Sequence, residues 1–360
     1  MPRIPTRSIL QAYQHDAILP LLLRECRTLE SAKNELRWLR EHAVRVAEST
    51  TTEQVPARAP APYSRVLLRK MCVARSRGVP LQYILGNQPF GDLDIKCKRG
   101  VLIPRHETET ITCHAANLIL RDVANGLFGS NDEKTPLRIL DLCTGTGCIP
   151  LLLHALLAPR IKNLSIAGID ISSAAIRLAK ENHGRNVHLG LLSDRALKEV
   201  SFRQGNVLDY ARDFSALANV LHHMPAYRTP ALELGCDVII SNPPYISPAE
   251  YRNGTTSRSV RMFEPKPALV PPEYYYSGPM LHVDDFQIED LFYHHIVAIV
   301  ASSRARLAVL ECGNRLQAMR VASSCREILQ GRGEIARAVI DVWSVTGIDT
   351  HPCAVLIHLS

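Results

Sequence analysis

Residues 138–149 read Arg138-Ile139-Leu140-Asp141-Leu142-Cys143-Thr144-Gly145-Thr146-Gly147-Cys148-Ile149. An apolar run ending in an acid, a turn with two glycines and the apolar stretch Ile149–Leu157 predict strand, tight turn and helix. Glycines in such a turn let the backbone approach a ligand closely, and the start of a helix presents N–H groups without intrahelical partners. The pattern then repeats. Ser165-Ile166-Ala167-Gly168-Ile169-Asp170 is a second strand ending in an acid, followed by the helical stretch Ser172–Asn182. Asp170 stands where a βαβ nucleotide site carries its acceptor for a ribose hydroxyl. By itself a Gly-x-Gly turn fits an NAD site equally well. Here the third glycine of the dinucleotide fingerprint is missing, because Gly147 is followed by Cys148-Ile149-Pro150. That favours a nucleoside cofactor with no pyrophosphate to cradle. S-adenosylmethionine is one, with its adenosine at Asp170 and its aminocarboxypropyl and sulfonium end near the turn.

Further along, the β-branched run Val238-Ile239-Ile240 stops at Asn242-Pro243-Pro244-Tyr245. Proline lacks a backbone N–H and fixes φ, so two in succession end a strand abruptly. The second also holds the first in extended geometry, which sets the backbone carbonyls in a rigid row. Asn242 adds an amide oxygen beside them and Tyr245 a flat π face. Acceptors and a stacking surface suit a planar group carrying an NH2, such as a carboxamide or the exocyclic amine of a base. A plain strand exit with a proline stop explains the tetrapeptide alone; paired with the glycine turn, it points to methyl transfer onto such an NH2.

With these two motifs in place, the chain resembles the HemK/PrmC-type peptide chain release factor glutamine methyltransferases, from about Val79 to Val270 and again through Leu307–Arg315. Three further segments carry the resemblance. Pro80-Leu81-Gln82-Tyr83-Ile84-Leu85-Gly86, followed by Phe90 and Gly91, is similar to that family's interdomain linker. Leu102-Ile103-Pro104-Arg105-His106-Glu107-Thr108-Glu109 is similar to its Ile-Pro-Arg-Pro-Glu-Thr-Glu signature, with His106 in place of proline. Arg261-Met262-Phe263-Glu264-Pro265-Lys266-Pro267-Ala268-Leu269 is similar to the Phe-Glu-Pro stretch that follows its Asn-Pro-Pro-Tyr.

The resemblance implies a class I S-adenosylmethionine-dependent methyltransferase fold, Rossmann-like with a seven-stranded sheet, preceded by a small helical domain. It implies methylation of the side-chain amide nitrogen of the glutamine in the Gly-Gly-Gln motif of a class I release factor. The expected catalytic group is Asn242, Pro243, Pro244 and Tyr245, with the Asn242 Oδ1 and the Pro243 carbonyl orienting the substrate NH2. The expected cofactor group is Asp141, Cys143, Thr144, Gly145, Thr146, Gly147, Asp170, Asn206, Val207 and Asn242. Two departures stand out. Cys143 occupies a position where the family has glycine, so access to positive φ is expected to be restricted there. Asn206, in Gln204-Gly205-Asn206-Val207, stands where the family has an acid facing adenine.

The chain divides along its composition. Residues 1–50 carry Leu19, Leu22, Leu23, Cys26, Leu29, Leu36, Leu39 and Ala43 at helical spacing, Thr50–Pro62 reads as a loop, and Tyr63–Arg77 resumes the helical pattern until Gly78-Val79-Pro80. We therefore expect a helical substrate-recognition domain over 1–85, a hairpin linker over 86–102 and the methyltransferase domain over 103–360. There, alternating strands and helices predict a parallel sheet, with Leu307–Gly313 as its fifth strand and Glu334–Trp343 and Ala354–Leu359 as a closing antiparallel pair. Insertions are expected at about Tyr210–Glu233 and Glu273–Asp285.

Composition sets the remaining bounds. With 360 residues and 46% hydrophobic content the chain can bury two cores, and no apolar run reaches the roughly 20 residues of a membrane span. The net charge of +7 is scattered, without a run of five basic residues, so no stable nucleic-acid binding is expected. Ten cysteines show no Cys-x-x-Cys pair and none of the fourteen histidines has metal-ligand spacing, so no metal is expected. His222-His223 and His294-His295 read as surface or capping residues, Trp38 as helix packing, and Glu311 as a hydrogen-bonding carboxylate rather than a general base. A Cys143–Cys148 disulfide is disfavoured in a reducing compartment. Two other functions stay open: methylation of an exocyclic amine of adenine or guanine in nucleic acid, which shares Asn-Pro-Pro-Tyr, and a non-catalytic scaffold on the same fold. Against the first, aromatics are only 6% of the chain and cluster at Tyr274-Tyr275-Tyr276, whereas a base methyltransferase needs base flipping and stacking platforms. Arg3, Arg7 and Ser8 with no acid before Asp16 loosely fit a mitochondrial targeting segment, with cytoplasm as the alternative. A monomer is expected.

Overall fold

The computed structural model describes residues 3–51, 60–128, 136–210, 214–222, 235–273, 287–331, 338–344 and 353–359. They fall into two compact units, one of Met1–Asn87 with Ser257–Phe263 and the other of Gln88–Thr256 with Glu264–Ser360. Most of the Tyr210–Glu233 and Glu273–Asp285 segments, the Tyr274–Tyr276 run and His351-Pro352 lie outside the described residues.

The first unit is helical: α1 (Thr6–His15), α2 (Leu19–Cys26), α3 (Leu29–Thr51), α4 (Pro60–Ser76) and α5 (Leu81–Leu85). Leu36, Leu39, Ala43 and Ala47 recur at three- and four-residue steps along α3 and form one buried stripe. Leu36, Leu39 and Ala43 of that stripe join Leu19, Leu22 and Leu23 of α2 and Leu68 and Cys72 of α4 in a single core. Trp38 is off this stripe, two residues after Leu36 and one before Leu39, and is 42% exposed, so it does not pack as expected. Between α3 and α4 an ion pair is buried with its hydrogen bonds satisfied: Arg75 Nε and Nη2 donate to Glu35 Oε2 and Oε1 at 2.7 and 2.9 Å. Residues 257–263 belong to this unit although the sequence assigned them to the methyltransferase part. There the Arg258 guanidinium lies 3.5 Å from Glu25, and Ser259 Oγ donates to the Gly78 carbonyl at 2.6 Å.

The second unit opens with a hairpin, β1 (Asn87–Phe90) and β2 (Leu93–Lys96), and continues through α6 (His106–Ala124), β3 (Leu137–Leu142), α7 (Cys148–Leu157), β4 (Leu164–Asp170), α8 (Ser173–His188), α9 (Ala196–Glu199), β5 (Val200–Gln204), α10 (Val207–Tyr210) and α11 (Phe214–His222). Then come β6 (Val238–Ser241), α12 (Pro248–Asn253), α13 (Arg258–Phe263, which clusters with the first unit), α14 (Leu291–Ser303), β7 (Leu307–Cys312), α15 (Arg315–Gly331), β8 (Ala338–Ser344) and β9 (Cys353–Leu359). The large sheet has seven strands in the order β5-β4-β3-β6-β7-β9-β8. The first five are parallel and the last two pairings antiparallel. This is the Rossmann-like class I methyltransferase sheet.

Successive side chains along each strand serve opposite cores, as the period of two requires. Leu140, Leu142, Ile239 and Leu310 pack with α14 and α15, whereas Ile139, Val238, Ile240 and Val309 pack with α6 and α7. A sheet covered on both faces explains why β3, β6 and β7 read as nearly continuous apolar runs. It also explains His295, which was expected at the surface but is buried because α14 is covered along most of its length. Among the described residues no helix is long and apolar enough to cross a membrane, and no His, Cys, Asp or Glu cluster could hold a metal ion.

The β3–α7 turn takes three residues into the left-handed region: Cys143 at φ 66°, Gly145 at 55° and Gly147 at 79°. A Cβ on Gly147 would sit 2.9 Å from the Phe202 ring, and one on Gly168 of β4 would sit 2.6 Å from both Phe202 and Thr144. The turn is thus clamped between β4, β5 and α8. Cys143 departs from its expectation: the thiol side chain does not keep this residue out of positive φ, because the clamped turn imposes the conformation and the chain bears the strain. Cys143 and Cys148 are both free thiols.

Two outcomes follow for stability. Arg75→Ala strands the Glu35 carboxylate and should cost about 3 kcal/mol in denaturant unfolding, most of it regained when Glu35→Ala is added; unfolding like the parent would show the pair to be inconsequential. Cys143→Gly should be more stable than Cys143→Ala by about 1 kcal/mol, since both lack the thiol and only glycine escapes the left-handed penalty. Equal stabilities would mean that the turn relaxes without strain.

Candidate active site

In the sheet register Asp141 lies beside Gly168 on one side and Ile240 on the other. The carboxyl ends of β3, β4 and β6 are therefore nearly flush, and Asp141, Asp170 and Asn242 emerge along one edge. Ligands of open α/β sheets bind outside the carboxyl ends of the strands. A cavity of about 680 Å³ opens there. Of the sequence-predicted residues, Cys143, Gly145, Asp170, Asn206, Val207, Asn242 and Pro244 line it. Asp141, Thr144, Thr146, Gly147, Pro243 and Tyr245 are not among its lining residues. The sequence reading missed other parts of the wall, notably Leu102, Ile171, Lys266, Val270 and Phe292. These are apolar or loop residues with no chemical signature of their own.

The predicted residues outside the lining hold the turn in shape. Thr144 N donates to the Ile169 carbonyl at 2.9 Å, and the Thr146 carbonyl accepts from Asn182 Nδ2 at 3.0 Å. Asn182 Oδ1 in turn accepts from Lys96 N at 2.8 Å, which ties the β1–β2 hairpin to the same helix. Asp170 closes the turn from β4: Oδ2 accepts from Gly145 N at 2.9 Å and Oδ1 from Ser172 N at 2.8 Å. Burial pushes the Asp170 carboxyl above its ordinary pKa, and those two backbone donors partly offset the rise. Asp141 is fully buried, and neither of its carboxylate oxygens has a hydrogen-bond partner among the described residues. Burial holds its pKa well above the usual range, with the Thr144 hydroxyl partly opposing the rise and the nearby Asp170 adding to it. Asn206 is committed locally: Nδ2 donates to Asp209 Oδ2 at 2.9 Å and Oδ1 accepts from Leu208 N at 3.1 Å, at the start of α10.

At the end of β6 the geometry is set by a buried chain of side chains. Asn242 Nδ2 donates to Thr108 Oγ1 at 2.9 Å, and Thr108 Oγ1 donates to Glu311 Oε1 at 3.1 Å. Tyr245 OH donates to the same Glu311 oxygen at 3.4 Å. The Tyr245 ring lies against Gly313, where a Cβ would come within 3.0 Å of it. Thr108 belongs to the Leu102–Glu109 signature segment, yet nothing in the sequence pairs it with Asn242. Glu311 is the hydrogen-bonding carboxylate that the sequence suggested, but its partners were not foreseeable. Glu264 completes the frame: it is 6% exposed and accepts from Ile103 N at 3.1 Å and from Arg105 Nη2 at 2.8 Å. The two segments around the central motif are thereby bound to one another. The result is a largely apolar cavity, partly open to solvent, with the Asp170 carboxylate and the Asn242 carboxamide among its lining residues.

A family model described as a methyltransferase domain matches residues 133–241. The chain is 37% identical over 270 residues to the mitochondrial MRF1 N(5)-glutamine methyltransferase MTQ1 of Saccharomyces cerevisiae, covering 75% of this chain and 68% of the yeast protein. It is 36% identical over 209 residues to the probable MRF1 mitochondrial N(5)-glutamine methyltransferase mtq1 of Schizosaccharomyces pombe, covering 57% of each. It is 35% identical over 214 residues to the release factor glutamine methyltransferase of Pasteurella multocida, covering 58% of this chain and 59% of that one. With the seven-stranded sheet and the Asn-Pro-Pro-Tyr strand end, these likenesses show that the chain belongs to the HemK/PrmC-type family of N(5)-glutamine methyltransferases.

Proposed function

We propose that this chain methylates the side-chain amide nitrogen of the glutamine in a Gly-Gly-Gln motif of a class I peptide chain release factor, using S-adenosylmethionine. The observation that carries this reading is the Asn242 carboxamide. Its nitrogen is committed to Thr108, and its Oδ1 has no partner among the described residues, while the residue lines the same cavity as Asp170.

The residues at hand fit the cofactor. Asp141 is buried beneath the turn with no hydrogen-bond partner among the described residues, and Gly145, where a Cβ would meet nothing within 4 Å, leaves room for close backbone approach. Asp170, Gly145, Cys143, Asn206 and Val207 would hold it, with Asp141, Thr144, Thr146 and Gly147 shaping the turn beneath. When bound, the cofactor supplies an electrophilic methyl on a sulfonium. The remaining work falls to this chain. An amide nitrogen is a poor nucleophile because its lone pair is delocalised, so the protein gains most by orientation, worth up to ~7–11 kcal/mol in well-aligned intramolecular systems. Asn242 Oδ1 and the Pro243 carbonyl accept from the substrate NH2 and direct its lone pair. Pro244 walls the cavity, and Tyr245 braces the motif against Glu311 and Gly313. The low polarity of the cavity favours a transition state in which charge disperses. The proton leaves to water.

Relatives named as mitochondrial support a mitochondrial location and a mitochondrial release factor as the substrate. We read the active species as a monomer, since the described residues that line the cavity all belong to one unit of the chain.

The variants of Asn242 test this reading. Asn242→Ala should lower the turnover of a Gly-Gly-Gln release factor by roughly 10- to 100-fold, the equivalent of one aligned hydrogen bond of about 1–3 kcal/mol, with cofactor affinity by calorimetry little changed. Asn242→Asp should bind the cationic cofactor at least as well and still turn over slowly. Parent-level turnover in Asn242→Ala would reduce the motif to a strand stop. Methylation of nucleic acid, with none of the release factor, would establish the exocyclic-amine reading instead.

A further inference from the structure

A threonine hydroxyl carries one hydrogen, and an ionised carboxylate only accepts. Those two facts fix the direction of every bond in the chain Asn242–Thr108–Glu311. Glu311 Oε1 takes the Thr108 hydrogen at 3.1 Å and the Tyr245 hydroxyl hydrogen at 3.4 Å. Thr108, its one hydrogen engaged, meets Asn242 with lone pairs only, so Asn242 must turn its NH2 toward it, as the 2.9 Å contact from Nδ2 records. The opposite amide rotamer would set two acceptor oxygens against each other at that distance. Thr108 and Glu311 are 2% exposed each, so water does not substitute for either partner.

We infer that Thr108 and Glu311 are positioning residues that set the sense of the Asn242 amide, so that its oxygen and not its NH2 is presented to the substrate. This rests on the reading of Asn242 as the acceptor for a substrate NH2. The residues come from three separate elements: Thr108 from α6, Asn242 from the end of β6 and Glu311 from β7. An inverted amide would offer a donor to a donor and repel the group to be methylated. Neither residue needs to touch substrate, and no step of the methyl transfer passes through them.

The device depends on Glu311 being ionised. Burial pushes its carboxyl up to about 7, and Glu107 adds to the rise, whereas the hydroxyls of Thr108 and Tyr245 and the Arg105 guanidinium oppose it. On the remaining side Cys148, at the start of α7, also feels this carboxylate. Above that pH Glu311 is an acceptor and the amide is locked. Below it, a proton on Oε1, the oxygen that meets Thr108, can be donated to Thr108, whose hydrogen is then free to turn to Asn242, and the amide loses its fixed sense.

The test uses the full chain labelled with 15N-asparagine, in which the Asn242 side-chain signals are identified by their loss in Asn242→Ala. These signals should titrate near neutral pH in the parent, stop titrating in Glu311→Gln, and lose protection from solvent exchange in Thr108→Val. With a Gly-Gly-Gln peptide and S-adenosylmethionine, Thr108→Val should lower kcat about tenfold or more while KM and cofactor affinity stay within about twofold, and Thr108→Ser should recover most of the rate. The acid limb of the parent rate profile should vanish in Glu311→Gln. Unaltered Asn242 signals in Thr108→Val, or a titration that survives in Glu311→Gln, would overturn the inference. If Thr108→Val fails to fold, the titration in Glu311→Gln decides the question by itself. A parent chain that leaves the peptide unmethylated would count against the proposed substrate, while the spectra would still decide the role of Thr108 and Glu311.

Discussion

The parallel pairing of β3 with β4 and β6 is the constraint on which the site depends. Because Asp141 pairs with Gly168 and Ile240, three strands end at nearly the same level, and each delivers one polar group to a single edge of the sheet. A slip of one residue in either pairing would turn Asp170 or Asn242 into the opposite core. The register is held from both faces, by α14 and α15 on one side and α6 and α7 on the other, so bulk hydrophobic burial fixes the positions of the functional groups. Nothing in the loops has to be precise on its own.

Around that edge, buried carboxylates act as acceptors for neighbouring segments. Asp170 gathers the amides of Gly145 and Ser172, Glu264 gathers Ile103 and Arg105, and Glu311 gathers Thr108 and Tyr245. A charged acceptor makes hydrogen bonds roughly twice as strong as a neutral one, which suits the joining of segments far apart in sequence. Asp141 is the exception, since its oxygens have no protein partner among the described residues. A protein that keeps a buried acid without a partner carries a destabilising group there. Cys143, a non-glycine residue held at φ 66° beside the cavity, is a second strained position at the same edge.

Much of this could be read before any coordinates. Alternation of apolar strands and helices, the acid-ended β3 and β4, and the proline stop after β6 are local signals, and they located the sheet and its edge. Asp170 and Asn242 followed because each sits at a strand end marked by composition. What stayed hidden was long-range or conformational. No local pattern links Thr108 to Asn242 or Arg105 to Glu264, since each pair meets only through the fold. Asn206 was legible as a position but not as a cap, because the bond to Asp209 depends on the short α10 that follows it. Cys143 was misjudged for a physical reason: propensity describes what a residue prefers, and a clamped turn can override that preference. Trp38 and His295 were misassigned in opposite directions, one because it stands beside the buried stripe and the other because α14 is buried on nearly every side.

The most direct measurement is fragmentation mass spectrometry of a full-length release factor incubated with the chain and S-adenosylmethionine. A single methyl group confined to the side-chain nitrogen of the glutamine in its Gly-Gly-Gln motif is the predicted result. A methyl found on any other residue, or an unmodified release factor beside methylated adenine or guanine in nucleic acid, would contradict it.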